Sequence, residues 1–107
     1  MLVVNRFRLP DDTSETAFRA DLAAAHAVLA GQRGYVDGTL GRNLDEPDLW
    51  VLTTRWDSVG AYRRALSSYD VKLEAVPLLG RALDEPSAYE VVEEGTDLNE
   101  ARPRSLG

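Results

Sequence analysis

Residues 49–69, LWVLTTRWDSVGAYRRALSSY, decide the fold. Leu49 to Trp56 is rich in β-branched and aromatic side chains and is apolar on both faces, so it reads as a strand that needs cover on two sides. Asp57 or Ser58 follows as a helix N-cap, a short polar side chain whose oxygen accepts from the free N–H groups of the first turn. Val59, Tyr62, Leu66 and Tyr69 then recur at helical spacing and are expected to form the inner stripe of a helix. The strand-to-helix junction gathers a Trp, an Arg and two Tyr, a set that suits a small-molecule pocket.

Working outward, Leu2 to Leu9 alternates and predicts a first strand, with Val3, Asn5, Phe7 and Leu9 on one face and Leu2, Val4, Arg6 and Arg8 on the other. Pro10-Asp11-Asp12 ends it, and Asp12 or Thr13 is expected to cap the next helix. Phe18, Leu22, Ala25 and Leu29 mark that helix as amphipathic, and it ends near Gly31 to Gly34. Tyr35 to Asn43 is strand-like, and its Gly38 and Gly41 suggest a bulge or a close approach by a ligand or another backbone. Asp45-Glu46-Pro47-Asp48 predicts a turn, so the second and third strands form a hairpin. Asp70 to Val76 either extends the second helix or opens a short third one, with a break near Pro77. Leu78, Leu79 and Leu83 are expected to be buried, and Ser87 to Glu94 to be the fourth strand. Residues 1–95 would form one domain and 96–107 a tail.

The order β-α-β-β-α-(α)-β predicts an α+β, ferredoxin-like fold: a four-stranded antiparallel sheet with helices on one face. Two helices shelter only one side of that sheet. The other side still carries Leu2 and Val4, and apolar residues of strands three and four face both ways. At ~25 cal/mol per Å² of apolar surface, leaving these wet forfeits several kcal/mol. A second copy packed sheet to sheet is the simplest remedy, so a homodimer is expected.

Composition narrows the functions. The formal net charge is −6, and no basic patch offers the counterion release that phosphate binding depends on, so nucleic acid and anionic membranes are not expected partners. No apolar run approaches the ~20 residues that span a bilayer, and Met1 leads straight into a strand pattern, so neither an anchor nor a leader is expected. The absence of cysteine excludes disulfides, thiolate catalysis and Cys-ligated metal, and fits a cytoplasmic location. With a single His and no Cys, no clustered metal site is visible; Asp45-Glu46-Asp48 reads as a solvated turn.

The run GYVDGTLGRNLDEPDLWVLTTRWDSVGAYRRAL, followed by apolar residues around a Pro and a closing SAYEVVEE, resembles the antibiotic biosynthesis monooxygenase superfamily. The resemblance covers residues 1 to about 94 and is most specific at the hairpin and at Arg55-Trp56-Asp57-Ser58. It implies a dimeric α+β barrel of ferredoxin-like protomers. It also implies small-molecule oxidation, in cofactor-free, quinol-oxidising or heme-degrading branches. In the cofactor-free chemistry the deprotonated substrate reduces dioxygen itself, while the protein supplies an apolar cavity, donors for the oxyanion and a base. The heme-degrading pattern has an Asn on the first strand, matched by Asn5, and then a Trp and a ligating His, where this chain has Ala65 and Ala75. Alanine does not ligate iron, so that branch is disfavoured and no cofactor is expected.

The candidate catalytic residues are therefore Asn5, Tyr69 and His26, and the candidate substrate-binding residues Trp56, Tyr62, Arg55 and Phe7. Each has a plainer alternative. Asn5 either donates to a substrate oxygen or bonds backbone. Trp56, Tyr62 and Tyr69 either line a cavity or pack the core. Arg55 either offsets an enolate or pairs with an acid across a dimer. His26 is either a base or a structurally bonded flank residue. The expected function is a cofactor-independent monooxygenase acting with dioxygen on a small aromatic, phenolic or quinol-like compound. The alternative is a non-catalytic small-molecule-binding or stress-related protein on the same dimeric scaffold.

Overall fold

The computed structural model describes residues 1–98. The elements run β1 (Leu2–Arg8), α1 (Glu15–Ala30), β2 (Tyr35–Arg42), β3 (Leu49–Trp56), α2 (Val59–Ser67), α3 (Tyr69–Glu74), α4 (Val76–Leu79) and β4 (Ala88–Tyr89). The strands form one antiparallel sheet in the order β2-β3-β1-β4, with the helices on one face. This is the expected ferredoxin-like α+β architecture.

β3 lies at the centre, between β2 and β1. Its Trp50, Leu52, Thr54 and Trp56 side chains, on the helix-facing side, are all buried. Thr54 is the one polar member, and its hydroxyl is satisfied by the Trp56 indole N–H, which donates to it at 2.9 Å. β1 adds Val3 and Phe7 to the same layer, and α1 lays Phe18, Leu22, Ala25 and Leu29 over it. Phe7, Phe18 and Trp50 meet edge to face, with centroids 6.2 and 5.9 Å apart. On the opposite side Leu49 is buried, while Leu2, Val4 and Val51 remain half-buried.

Several local expectations are corrected. α1 is capped by Ser14, whose hydroxyl accepts from Ala17 N at 3.1 Å; Asp12 and Thr13 are bonded to each other in the preceding turn. The second helix buries Ala61 and Ala65, leaving Tyr62 and Leu66 half-buried and Val59 46% exposed. It stops at Ser68, whose extended backbone (φ −70°, ψ 150°) also caps α3. The helical phase restarts there, so Tyr69 opens a new helix and is 76% exposed instead of continuing the inner stripe. The fourth strand keeps only Ala88–Tyr89 of the expected Ser87 to Glu94, because Tyr89 already pairs with Leu2, the first residue of β1, and no partner strand remains among the described residues for its continuation. Of the expected tail, only 96–98 fall within the described residues.

Candidate functional site

The segment after α4 folds back along the free edge of β1. Leu83 N donates to Arg6 O at 2.8 Å, and Val4 N to Ser87 O at 2.7 Å. Arg6 clamps Glu85 through two hydrogen bonds of 2.6 and 2.8 Å, a fork-to-fork geometry that fixes the strap laterally. The guanidinium holds the Glu85 carboxyl below its usual range.

Beneath the strap lies a cleft of about 340 Å³, lined by Asn5, Leu79, Ala82, Leu83, Asp84 and Ser87 among others. Asn5 stands on the helix side of β1 between Val3 and Phe7, opposite Leu52 of β3. Among the described residues its amide makes no side-chain hydrogen bond, although it carries two N–H donors and an acceptor oxygen. The backbone bond weighed as its alternative is absent from the described residues. The cleft falls within the ~300–1,000 Å³ of ordinary small-molecule sites.

The remaining candidates lie elsewhere. Phe7 (1% exposed) and Trp56 (2%) are core residues. Tyr62 leans on Trp56, with ring centroids 5.3 Å apart, and burial raises its phenol pKa, so it is held as a proton donor at neutral pH. Tyr69 does not line the Asn5 cleft. Arg55 makes two bonds, 2.8 and 2.6 Å, to Asp37 on the neighbouring strand of its own chain. This contact holds Asp37 below its usual range.

His26 reaches across from α1 to β2, where its Nε2 lies 2.6 Å from the Tyr35 hydroxyl. Tyr35 was not among the candidates; a half-buried strand-end Tyr carries no signal in the sequence beyond its neighbour Gly38. That glycine is where the expected close approach is realised. A Cβ at position 38 would fall 2.5 Å from His26 Nε2, 2.7 Å from Tyr35 Oη and 2.8 Å from the Thr53 carbonyl.

Larger hollows of about 480, 610 and 410 Å³ are lined by Arg6, Leu49 and Val51 on the helix-free side, by Val59, Arg63 and Tyr89 near β4, and by Glu15, Arg19 and Leu40 between α1 and β2. Among the described residues no group of three His, Cys, Asp or Glu is placed to hold a metal ion, and no helix is long and apolar enough to cross a membrane. Ala65 and Ala75, 3% and 0% exposed, are packed in the core, and neither side chain can ligate iron. The residues at those positions do not fit an axially ligated heme.

This sheet and its helical cover define a ferredoxin-like α+β class, with a cleft against the first strand. The sequence profile of the antibiotic biosynthesis monooxygenase family matches residues 1–73, and the chain belongs to that family. The match spans β1 to α3; the strap walling the Asn5 cleft lies beyond it. The fold is similar to that of SnoaB, a cofactor-independent oxygenase from Streptomyces nogalater, at 26% identity over 89% of this chain and 96% of that one, with a TM-score of 0.70. It is also similar to Rv0793 of Mycobacterium tuberculosis, at 26% identity over 94% and 97% of the two chains, with a TM-score of 0.64. A Deinococcus radiodurans structure, 18% identical over 92% of this chain and all of that one (100%), with a TM-score of 0.68, shares the fold. No protein of curated function matches the chain.

Proposed function

We propose that the chain is a cofactor-independent monooxygenase that oxidises a small aromatic, phenolic or quinol-like compound with dioxygen. The observation that carries the reading is the unpartnered Asn5 amide at a cleft of suitable size, in a chain of this family that is 26% identical to a cofactor-independent oxygenase. The substrate phenol or enol loses a proton, and the resulting carbanion transfers an electron to dioxygen. The radical pair joins to give a peroxide anion on carbon; the proton removed at the start returns to it, and loss of water leaves the new carbonyl. The two oxygen atoms leave as one carbonyl and one water, and the electrons come from the substrate carbon. Asn5 N–H donates to the developing oxyanion, where a preorganised donor favours the charged state over the neutral one. Of the other candidates, Phe7 shares the strand face of Asn5, whereas Trp56 and Tyr62 stand outside the lining of this cleft. His26 and Tyr69 are retained as the candidate bases.

A homodimer in the cytoplasm belongs to the same proposal. Leu2, Val4, Leu49 and Val51 line a helix-free face, and Val91 and Val92 are 39% and 65% exposed beside it.

A second reading, a non-catalytic ligand-binding protein, is favoured by two placements: His26 is engaged by Tyr35, and Tyr69 lies outside the cleft. Oxygen uptake with a panel of anthrones and hydroquinones separates the two. Turnover that falls ~100-fold in Asn5→Ala, the size of one lost oxyanion donor, supports the enzyme. Binding of these compounds without any oxygen uptake supports the alternative.

A further inference from the structure

Four aromatic rings from four elements run in series through one side of the protein. Tyr62 of α2 lies 5.3 Å from Trp56 of β3, Trp56 lies 5.6 Å from Tyr35 of β2, and Tyr35 lies 5.9 Å from His26 of α1 (centroid distances). The series ends in the 2.6 Å contact between Tyr35 Oη and His26 Nε2, a distance at which a proton crosses readily. Gly38 keeps the space above the sheet free for that pair.

The ends of the series differ in one chemical respect. A phenol is oxidised at moderate potential only if its proton leaves with the electron, because the protonated phenol radical cation is very acidic. Tyr35 has an imidazole to receive that proton. The Tyr62 hydroxyl makes no hydrogen bond among the described residues, and the Tyr89 hydroxyl donates to the Pro86 carbonyl, a poor base. The Trp56 indole is buried, and its N–H is bonded to a neutral hydroxyl, so the ring can lose an electron but has no base for its proton.

We infer that Trp56, Tyr35 and His26 form a proton-coupled electron relay that carries an oxidising equivalent out of the core to the Tyr35–His26 pair. A one-electron oxidant of the peroxyl class (ROO•) takes an electron from the Trp56 indole and becomes a hydroperoxide anion (ROO−). The tryptophan radical cation then takes an electron from Tyr35, whose phenolic proton passes to His26 Nε2. The products are neutral Trp56, a neutral Tyr35 radical and a His26 imidazolium; charge and protons balance. Cellular thiols reduce the radical from outside. The relay goes beyond the monooxygenase reading and does not depend on it.

The test is flash oxidation of the protein by a photo-oxidised ruthenium polypyridyl complex, in a Tyr69→Phe, Tyr89→Phe background that removes the other two tyrosines. The tryptophan radical is expected to decay as a neutral tyrosyl radical grows in. Tyr35→Phe removes the tyrosyl signal. His26→Gln, which keeps a hydrogen-bond acceptor but no base, slows the transfer at least ~tenfold, as loss of a positioned proton acceptor does. Tyr62→Phe leaves both signals unchanged. In heavy water the unsubstituted protein transfers more slowly, a readout that needs no variant to fold. A radical that settles on Tyr62, an unaltered decay in His26→Gln, or equal rates in light and heavy water overturns the relay.

Discussion

At the residue scale, Gly38 is a tightly constrained position. Its missing side chain lets a helix histidine and a strand tyrosine meet above β2, and the same site is closed on the other side by a backbone carbonyl 2.8 Å from where a Cβ would sit. Flexible side-chain tips yield easily, but a carbonyl in a sheet does not. Gly38→Ala is therefore expected to destabilise the fold by ~1–3 kcal/mol, the range for overpacking, read as a lower urea midpoint at unchanged slope. An unchanged midpoint would show that the Tyr35–His26 pair moves aside freely. The sequence shows a glycine in a strand, which signals close approach, but not what approaches. His26 and Tyr35 are nine positions apart on different elements, and only the crossing of α1 over the sheet brings them together. Asn5 was legible because it interrupts an apolar strand face. Its lack of a partner was not, since that depends on where the strap of residues 82–87 comes to rest.

At the element scale, the strap is the least regular part of the site and is held by two backbone hydrogen bonds to β1 and one side-chain ion pair. Glu85 has a depressed carboxyl pKa in the folded chain because Arg6 donates two hydrogen bonds to it. A group whose folded value lies below its unfolded one contributes stability above the unfolded value, near 4.5 here, and loses that contribution as pH falls through the folded value. In that window the unfolded chain binds more protons, so stability rises with pH. Glu85→Gln is expected to flatten this rise on the acid side of pH ~4.5 while leaving the neutral-pH fold intact. Denaturant midpoints taken across the acid range check it; a slope identical to the parent's would show that Glu85 is no better bonded folded than unfolded. The pair is only part-buried, so the effect is modest and falls with salt. Elements with strong periodicity were read correctly: β1, α1, the hairpin and β3 all appear where alternation or the 3.6-residue stripe placed them. Tyr69 was misplaced for a local reason. Periodicity continues across Ser68, but the Ser68 side chain competes for the backbone, closing one helix and capping the next. The fourth strand was overextended because Val91 and Val92 have strand-like composition, whereas pairing is limited to the two residues that meet Leu2 and Val3.

At the scale of the whole molecule, one face of the sheet is fully covered and the other is not. Val3, Phe7, Trp50, Leu52 and Trp56 are buried under the helices, whereas Leu2, Val4 and Val51 look out on the uncovered side. A two-fold partner would cover them, so sedimentation at micromolar concentration is expected to give twice the 11.8 kDa protomer mass. A charge introduced as Val51→Lys should shift the population toward monomer, and a wild-type protomer sedimenting alone would remove the case for a partner. This expectation came from counting apolar faces in the sequence; the fold keeps that count for β1 and β3, while Val91 and Val92 fall outside β4. Substrate and reaction are set by a few atoms, and fold alone does not define them. The direct test of the proposed chemistry is to supply isotopically heavy dioxygen to the purified protein with a phenolic substrate and a metal chelator. The account predicts that one heavy oxygen atom enters the product, that the other leaves as water, and that the chelator changes neither. Oxygen drawn from the solvent, or turnover that stops when metal is removed, would contradict it.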